Sequence, residues 1–141
     1  PTPTNEAFTA CMQILASLKR DAWSSDLSNS FGQSMKTNRS IPLAASLPPG
    51  MMELGYDLDP CQLLFAETEV YGLISGPSLL RQSLVADFEA LGYRRDPYDK
   101  CVMSLTSSSE RTDGVISDGL VLIEVDDILE GGSPVHRKKM E

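Results

Sequence analysis

The chain has 141 residues, of which 41% are hydrophobic, and this is enough for the core of one compact domain. Its 20 acidic and 12 basic residues give a net charge of −8, which argues against a basic surface that binds nucleic acid by counterion release. The longest apolar run, residues 119–125, is far shorter than the roughly 20 residues of a transmembrane helix and predicts a buried strand.

Residues 5–27 carry signals for a helix followed by a strand. Apolar residues recur every three or four positions in residues 5–19, which predicts an amphipathic helix with Thr4 as its N-cap. Residues 22–27 alternate weakly and predict a strand that ends near Asp26. We expect a turn or a short helix over residues 28–31, directly after that strand.

The middle of the chain is rich in turn signals. Pro48 and Pro49 fix φ and remove two backbone donors, so any strand before them must end there. Residues 51–61 predict a connecting loop or a short helix, with Asp57 and Asp59 as turn residues rather than calcium ligands.

The strongest helix signal follows. Pro77 suits a first helical position, and Gly92 falls where a left-handed C-terminal cap is expected. Four apolar residues between them have helical spacing: Leu80, Leu84, Phe88 and Leu91.

The last third predicts two strands and a hairpin. Residues 101–106 and 119–125 are strand-like, and the Ser-rich segment between them predicts a loop in which Ser107, Ser108 and Ser109 are not nucleophiles. The second run stops at Asp126-Asp127 before apolar character resumes, which predicts a strand, a tight turn that carries two carboxylates, and a return strand.

Several single residues are expected to lie at the surface or in the core without a chemical role. His136 is the one histidine, and we expect it on the surface. Arg94 and Arg95 could contact phosphate but are more typical of a solvated connection. The basic cluster at residues 137–139 is typical of a solvated helix end. Three widely spaced cysteines without a Cys-x-x-Cys motif predict small core residues in a reducing, intracellular compartment: Cys11, Cys61 and Cys101.

The Asp126-Asp127 pair is the feature most suggestive of chemistry. Adjacent carboxylates at the tip of a buried hairpin are costly unless a positive charge neutralises them, and Mg²⁺ is the usual ion. Nucleotidyl transfer uses two such ions and requires a third carboxylate from elsewhere in the chain. On its own the pair is a weak signal, because a solvated turn is the commoner explanation.

Four segments around this pair resemble, in order, the motifs of the reverse transcriptases of copia-type retrotransposons. They are residues 26–31 (DLSNSF), 47–51 (LPPGM), 70–77 (VYGLISGP) and 92–128, which ends in LIEVDDI. The resemblance covers nearly the whole chain. The family motifs are an Asp followed by Asn-Ala-Phe, a Pro-Pro-Gly turn, Leu-Tyr-Gly-Leu-Lys-Gln-Ala-Pro and the Tyr-Val-Asp-Asp hairpin.

The resemblance implies a role for each matching residue. Asp26, Asp126 and Asp127 would be the catalytic carboxylates that bind Mg²⁺. Phe31 would be the aromatic gate that excludes a ribose 2′-hydroxyl, although a core aromatic is an equally good reading of the sequence. Ser75 falls at a nucleotide-binding position where the family has Gln.

The chain also departs from the family pattern at accessory positions. Ile74 and Ser75 replace the family's Lys and Gln, so the amide that would position template and nucleotide is missing. Glu124 stands where the family has Tyr, which adds an acid beside the expected metal site. These changes predict that the isolated chain is inactive.

The resemblance predicts an α+β fold, in which a small antiparallel palm sheet is backed by two amphipathic helices. Residues 1–141 would form a single palm-like domain, a fragment of a retrotransposon polyprotein that lacks most of the fingers and all of the thumb. The expected function is RNA-directed DNA polymerase activity in the intact parent, on an RNA or DNA template-primer with a deoxynucleoside triphosphate. The alternative is a non-catalytic accessory or structural subunit that binds the other protein subunits of a larger complex.

Overall fold

The computed structural model describes residues 2–36, 39–48, 50–55, 59, 61–106 and 117–141. In chain order, the elements of these ranges are α1 (Asn5–Ser17), β1 (Asp21–Asp26), β2 (Ala44–Ser46), β3 (Leu63–Phe65), α2 (Gly76–Ala90), β4 (Arg94–Arg95), β5 (Val102–Leu105), β6 (Gly119–Glu124), β7 (Asp127–Gly132) and α3 (Pro134–Met140). Two short 3₁₀ helices lie at Ser30–Gln33 and Met52–Leu54.

Five strands form one antiparallel sheet in the order β1-β7-β6-β5-β4, and β2 pairs with β3 in a separate two-stranded sheet. The outcome is a mixed fold with an antiparallel sheet, as expected from the sequence. It has three helices in the described ranges rather than the two expected. The third, α3, carries residues 137–139 in its last turn, where a solvated helix end was expected.

Helix α1 covers one face of the large sheet. The Thr4 hydroxyl caps the helix by accepting from the Ala7 amide at 3.2 Å, as predicted. Cys11 and Leu15 are buried against side chains of β5 and β6, but Phe8 is 47% exposed, so the apolar stripe is only partly used.

Helix α2 covers the opposite face. Gly92 ends it with φ +93°, a left-handed conformation that favours glycine, and this confirms the predicted cap. Val85 and Phe88 pack there against the second set of β5 and β6 side chains, which includes Val121 and Ile123. Because both faces of β6 are covered, its sequence is a continuous apolar run instead of an alternating one.

His136 is fully buried, so its predicted surface location is wrong. Its ring lies over Gly119 and Gly132, which are paired across β6 and β7; a Cβ added at Gly119 would lie 2.1 Å from His136 Nδ1. The Tyr93 hydroxyl lies 2.7 Å from Nδ1, and Glu130 Oε2 lies 3.5 Å from Nε2. Helix α3 therefore inserts its histidine into a notch that two glycines leave in the sheet.

The structure also tests the predictions for the cysteines and for the turn residues. Cys11 and Cys101 are buried as predicted, whereas Cys61 is exposed. Asp59 is a turn residue whose carboxylate accepts from the Cys61 amide at 2.8 Å. Asp57 and residues 107–109 lie outside the described residues. Among the described helices, none has the length and apolar character needed to cross a membrane.

Candidate functional site

A cleft of about 510 Å³ opens at the end of the large sheet where β1 stops and the β6-β7 hairpin turns. Its lining comes from three segments: residues 26–32, residues 68–71 and Asp126. Three carboxylates, those of Asp26, Glu69 and Asp126, are part of this lining, and none of the described residues that line it is Lys or Arg. Because Glu69 is paired with Arg39 at 2.8 Å, the acidic character of the cleft comes from Asp26 and Asp126.

The pairing of β1 with β7 is what brings the predicted carboxylates to one place. Asp26, the last residue of β1, is paired with Asp127, the first residue of β7. The Leu27 amide then donates to the Asp126 carbonyl at 3.2 Å, which continues the pairing beyond the strand end. Directly paired residues of antiparallel strands project on the same face, so the Asp26 and Asp127 side chains are neighbours.

Two residues, Val125 and Asp126, form the turn that joins β6 to β7. Glu124 and Asp127 close this turn as a paired set. Val125 has φ +56°, a conformation that is a genuine outlier for a β-branched residue. Strained backbone of this kind costs on the order of 1–3 kcal/mol and is concentrated at functional sites. The turn was predicted to carry both carboxylates, which is wrong, because Asp127 is the first residue of β7. A valine at the first position of a two-residue hairpin turn, where glycine is usual, is the signal in the sequence that indicates this strain.

The carboxylates are more solvated than a buried hairpin tip would make them. Asp26 and Asp127 are exposed, and Asp126 is partly buried. The expected desolvation cost of placing them at the hairpin tip is therefore small.

The fit to Mg²⁺ depends on how many ligands are needed. In the described part of the chain, no group of three or more His, Cys, Asp or Glu side chains is arranged to hold a metal ion. Asp26 and Asp126 nevertheless line one cleft, and Mg²⁺ is commonly bound by one or two carboxylates with water and phosphate at the other positions. These two residues fit that smaller requirement, while Asp127 does not line the cleft.

Phe31 both lines the cleft and belongs to the packed interior. Its side chain is 9% exposed and meets Tyr71 edge-to-face, with ring centroids 5.5 Å apart. It also packs against Gly76 at the start of α2, where a Cβ would lie 3.1 Å from the Phe31 ring. The two readings of Phe31 are thus compatible, because one ring face can be a wall while the other is core.

Ser75 lies outside the lining of the cleft and is engaged in a polar network. Its hydroxyl donates to Glu69 Oε2 at 3.0 Å and accepts from the Arg39 guanidinium at 2.6 Å. Arg39 also donates to both Glu69 oxygens, at 3.1 and 2.8 Å, and the hydrogen bond with Glu69 raises the pKa of Arg39. Ser75 therefore hydrogen-bonds a buried carboxylate at the cleft wall, and its nucleotide-binding role stays a prediction.

No protein-family model matches the chain, and neither a curated protein nor a solved structure is significantly similar to it. The resemblance to copia-type reverse transcriptases therefore stays a prediction that rests on the sequence motifs.

Proposed function

We propose that the chain is the palm core of a reverse-transcriptase-like polymerase, whose intact parent performs two-metal nucleotidyl transfer in RNA-directed DNA synthesis. The observation that supports this most is the β1-β7 pairing, which brings Asp26 beside Asp126 and Asp127 from distant parts of the sequence. A chance solvated Asp-Asp turn would not need a third carboxylate paired against it.

In this proposal Asp26 and Asp126 hold Mg²⁺ in the cleft. Bound there, Mg²⁺ would supply Lewis-acid stabilisation of charge on phosphoryl oxygens. The protein's own contribution is to fix two carboxylates at adjacent strand ends, because the Leu27–Asp126 backbone hydrogen bond holds the two segments together. Phe31 and Tyr71 give the cleft an aromatic wall on which a nucleoside could stack, and Phe31 would limit room near the sugar.

Metal binding tests the site with a matched control on the same strand. Asp26→Asn and Asp126→Asn should each weaken Mg²⁺ or Mn²⁺ binding by about tenfold or more, measured by calorimetry. Asp21→Asn removes the same charge at the opposite end of β1, where the residue is exposed and paired with Gly132, and should leave binding nearly unchanged. Equal losses in all three variants would reduce the site to general electrostatic attraction.

Primer extension tests the function. If the polymerase assignment is right, the intact parent should lose Mg²⁺-dependent primer extension on Asp126→Asn and retain it on Asp21→Asn. Undiminished extension by Asp126→Asn would refute the assignment.

A non-catalytic accessory subunit is the second candidate, and one observation favours it. The described lining of the cleft contains no basic side chain for a triphosphate. Several large apolar side chains in residues 63–74 are strongly exposed: Leu63, Phe65, Tyr71 and Ile74. Such side chains are suited to contact with other protein. Metal-dependent primer extension by this chain alone would eliminate the accessory role, whereas metal binding without extension would favour it.

A further inference from the structure

A second cavity, of about 390 Å³, lies beside α2 and β4, and its character is opposite to that of the acidic cleft. Its described lining consists of Met35, Arg81, Gln82, Val85, Ala86 and Arg95. Two guanidinium groups and one amide supply its polar groups, and no acidic residue is among them. A pocket lined by two guanidinium groups is a local feature that the net charge of −8 does not predict.

Both guanidinium groups are held by the protein. Arg81 donates to the carbonyl of Lys100, and its Nε is buried without an acceptor in the described part of the chain. Arg95 donates to the two oxygens of Glu89 at 2.7 and 3.1 Å. The Lys100 carbonyl anchors Arg81 in advance, which lowers the conformational entropy that is lost when Arg81 binds a ligand. The Glu89 carboxylate, in contrast, competes with a ligand for Arg95.

The rest of the lining adds an amide donor and an apolar floor. Gln82 is exposed, and its 3.4 Å contact to Ser78 is long enough to be exchanged for a better acceptor. Val85 is 2% exposed and closes the bottom of the pocket. Gln82 can therefore turn its amide N–H groups toward an oxyanion in the pocket.

We propose that this pocket binds a phosphate group, with Arg81 and Arg95 providing charge-assisted hydrogen bonds and Gln82 a neutral one. Guanidinium groups match the geometry of phosphate oxygens and bind them in a bidentate manner. The proposal stands on these residues alone and is independent of the carboxylate cleft.

The bound phosphate group could belong to a free phosphate compound or to a nucleic-acid backbone. The net charge of −8 repels an extended polyanion more than a single phosphate, so the two sources differ in how binding depends on salt. The two probes are inorganic phosphate, followed by calorimetry, and a short single-stranded oligonucleotide, followed by fluorescence anisotropy.

Adjacent arginines provide a matched pair of variants. Arg95→Gln should weaken phosphate binding by about tenfold, the value of one charge-assisted hydrogen bond. Arg94→Gln makes the same charge change one residue away, where the side chain is exposed but does not line the pocket, and should have little effect. Circular dichroism of both variants checks that the fold is retained.

A third variant predicts a gain that misfolding cannot imitate. Glu89→Gln removes the carboxylate that competes for Arg95, at a position where the acid side chain is 43% exposed, and should tighten phosphate binding several-fold.

Binding of inorganic phosphate without the oligonucleotide would identify a free phosphate compound. Oligonucleotide binding that weakens in Arg95→Gln but not in Arg94→Gln would identify a backbone phosphate. Absence of binding to both probes, equal losses in Arg94→Gln and Arg95→Gln, or no gain in Glu89→Gln would overturn the proposal.

Discussion

The large sheet and the segment at residues 39–75 differ in how much of their surface is buried. Strands β5, β6 and β7 are covered on both faces, and Met103, Val121 and Ile123 are fully buried. The β2-β3 sheet has only two strands and is largely exposed, and two-stranded sheets alone are marginally stable in water. The acidic cleft takes its carboxylates Asp26 and Asp126 from the first region and Glu69 from the second. The core therefore fixes the positions of Asp26 and Asp126, while the cleft wall that contains Glu69 belongs to a region that contributes little to the core.

The largest expected effect is a difference in the free energy of unfolding between two Ile→Ala changes, one in each region. Ile123→Ala in β6 should lower the free energy of unfolding by about 2–5 kcal/mol, because it leaves a cavity in the core. Ile74→Ala shortens the same type of side chain at a fully exposed position and should change the free energy of unfolding by less than about 0.5 kcal/mol. Chemical denaturation measures the free energy of unfolding of both variants. Similar losses in the two variants would contradict the difference in burial between the two regions.

The glycine notch under His136 should be nearly as sensitive. Gly119→Ala should cost about 3 kcal/mol, since the new methyl group overlaps the histidine ring. In a His136→Ala background the same change should cost much less, because the ring is gone. A double-mutant cycle measures this coupling, and additive effects would show that His136 does not occupy the notch in solution.

Alkaline pH should weaken the large sheet through Tyr93. Burial, with a smaller effect from the charge of Glu130, raises the pKa of Tyr93 from 10.0 to about 12. Because the folded state holds this proton more tightly, the stabilisation is complete below pH 10 and is lost as the pH rises towards 12, by about 2–3 kcal/mol. Tyr93→Phe is the control, and its unfolding free energy should fall less steeply over that range. Parallel pH profiles for the two proteins would contradict the assignment.

The smallest effect concerns the strained turn at the site itself. Val125→Gly should raise the free energy of unfolding by about 1 kcal/mol, because glycine adopts positive φ without strain, although it gains entropy in the unfolded chain. The matched change Val121→Gly, in the middle of β6, should destabilise instead. Destabilisation by Val125→Gly would show that the turn is not strained in solution.

Local signals in the sequence determined much of the secondary structure. The Thr4 cap, the Gly92 cap and the apolar spacing fixed α1 and α2, since each acts within one or two helical turns. The stop of the apolar run at Asp126 gave the β6-β7 hairpin for the same reason.

Only the tertiary structure decided which distant residues meet. The sequence alone does not determine the pairing of β1 with β7, and the resemblance to a family was needed to expect Asp26 near Asp126. The burial of His136 depends on glycines in two other elements, and the Arg39–Glu69–Ser75 network joins residues without a shared motif. These contacts are long-range packing and hydrogen bonding, which leave no periodic pattern in the sequence, whereas caps and turns do because their causes are local.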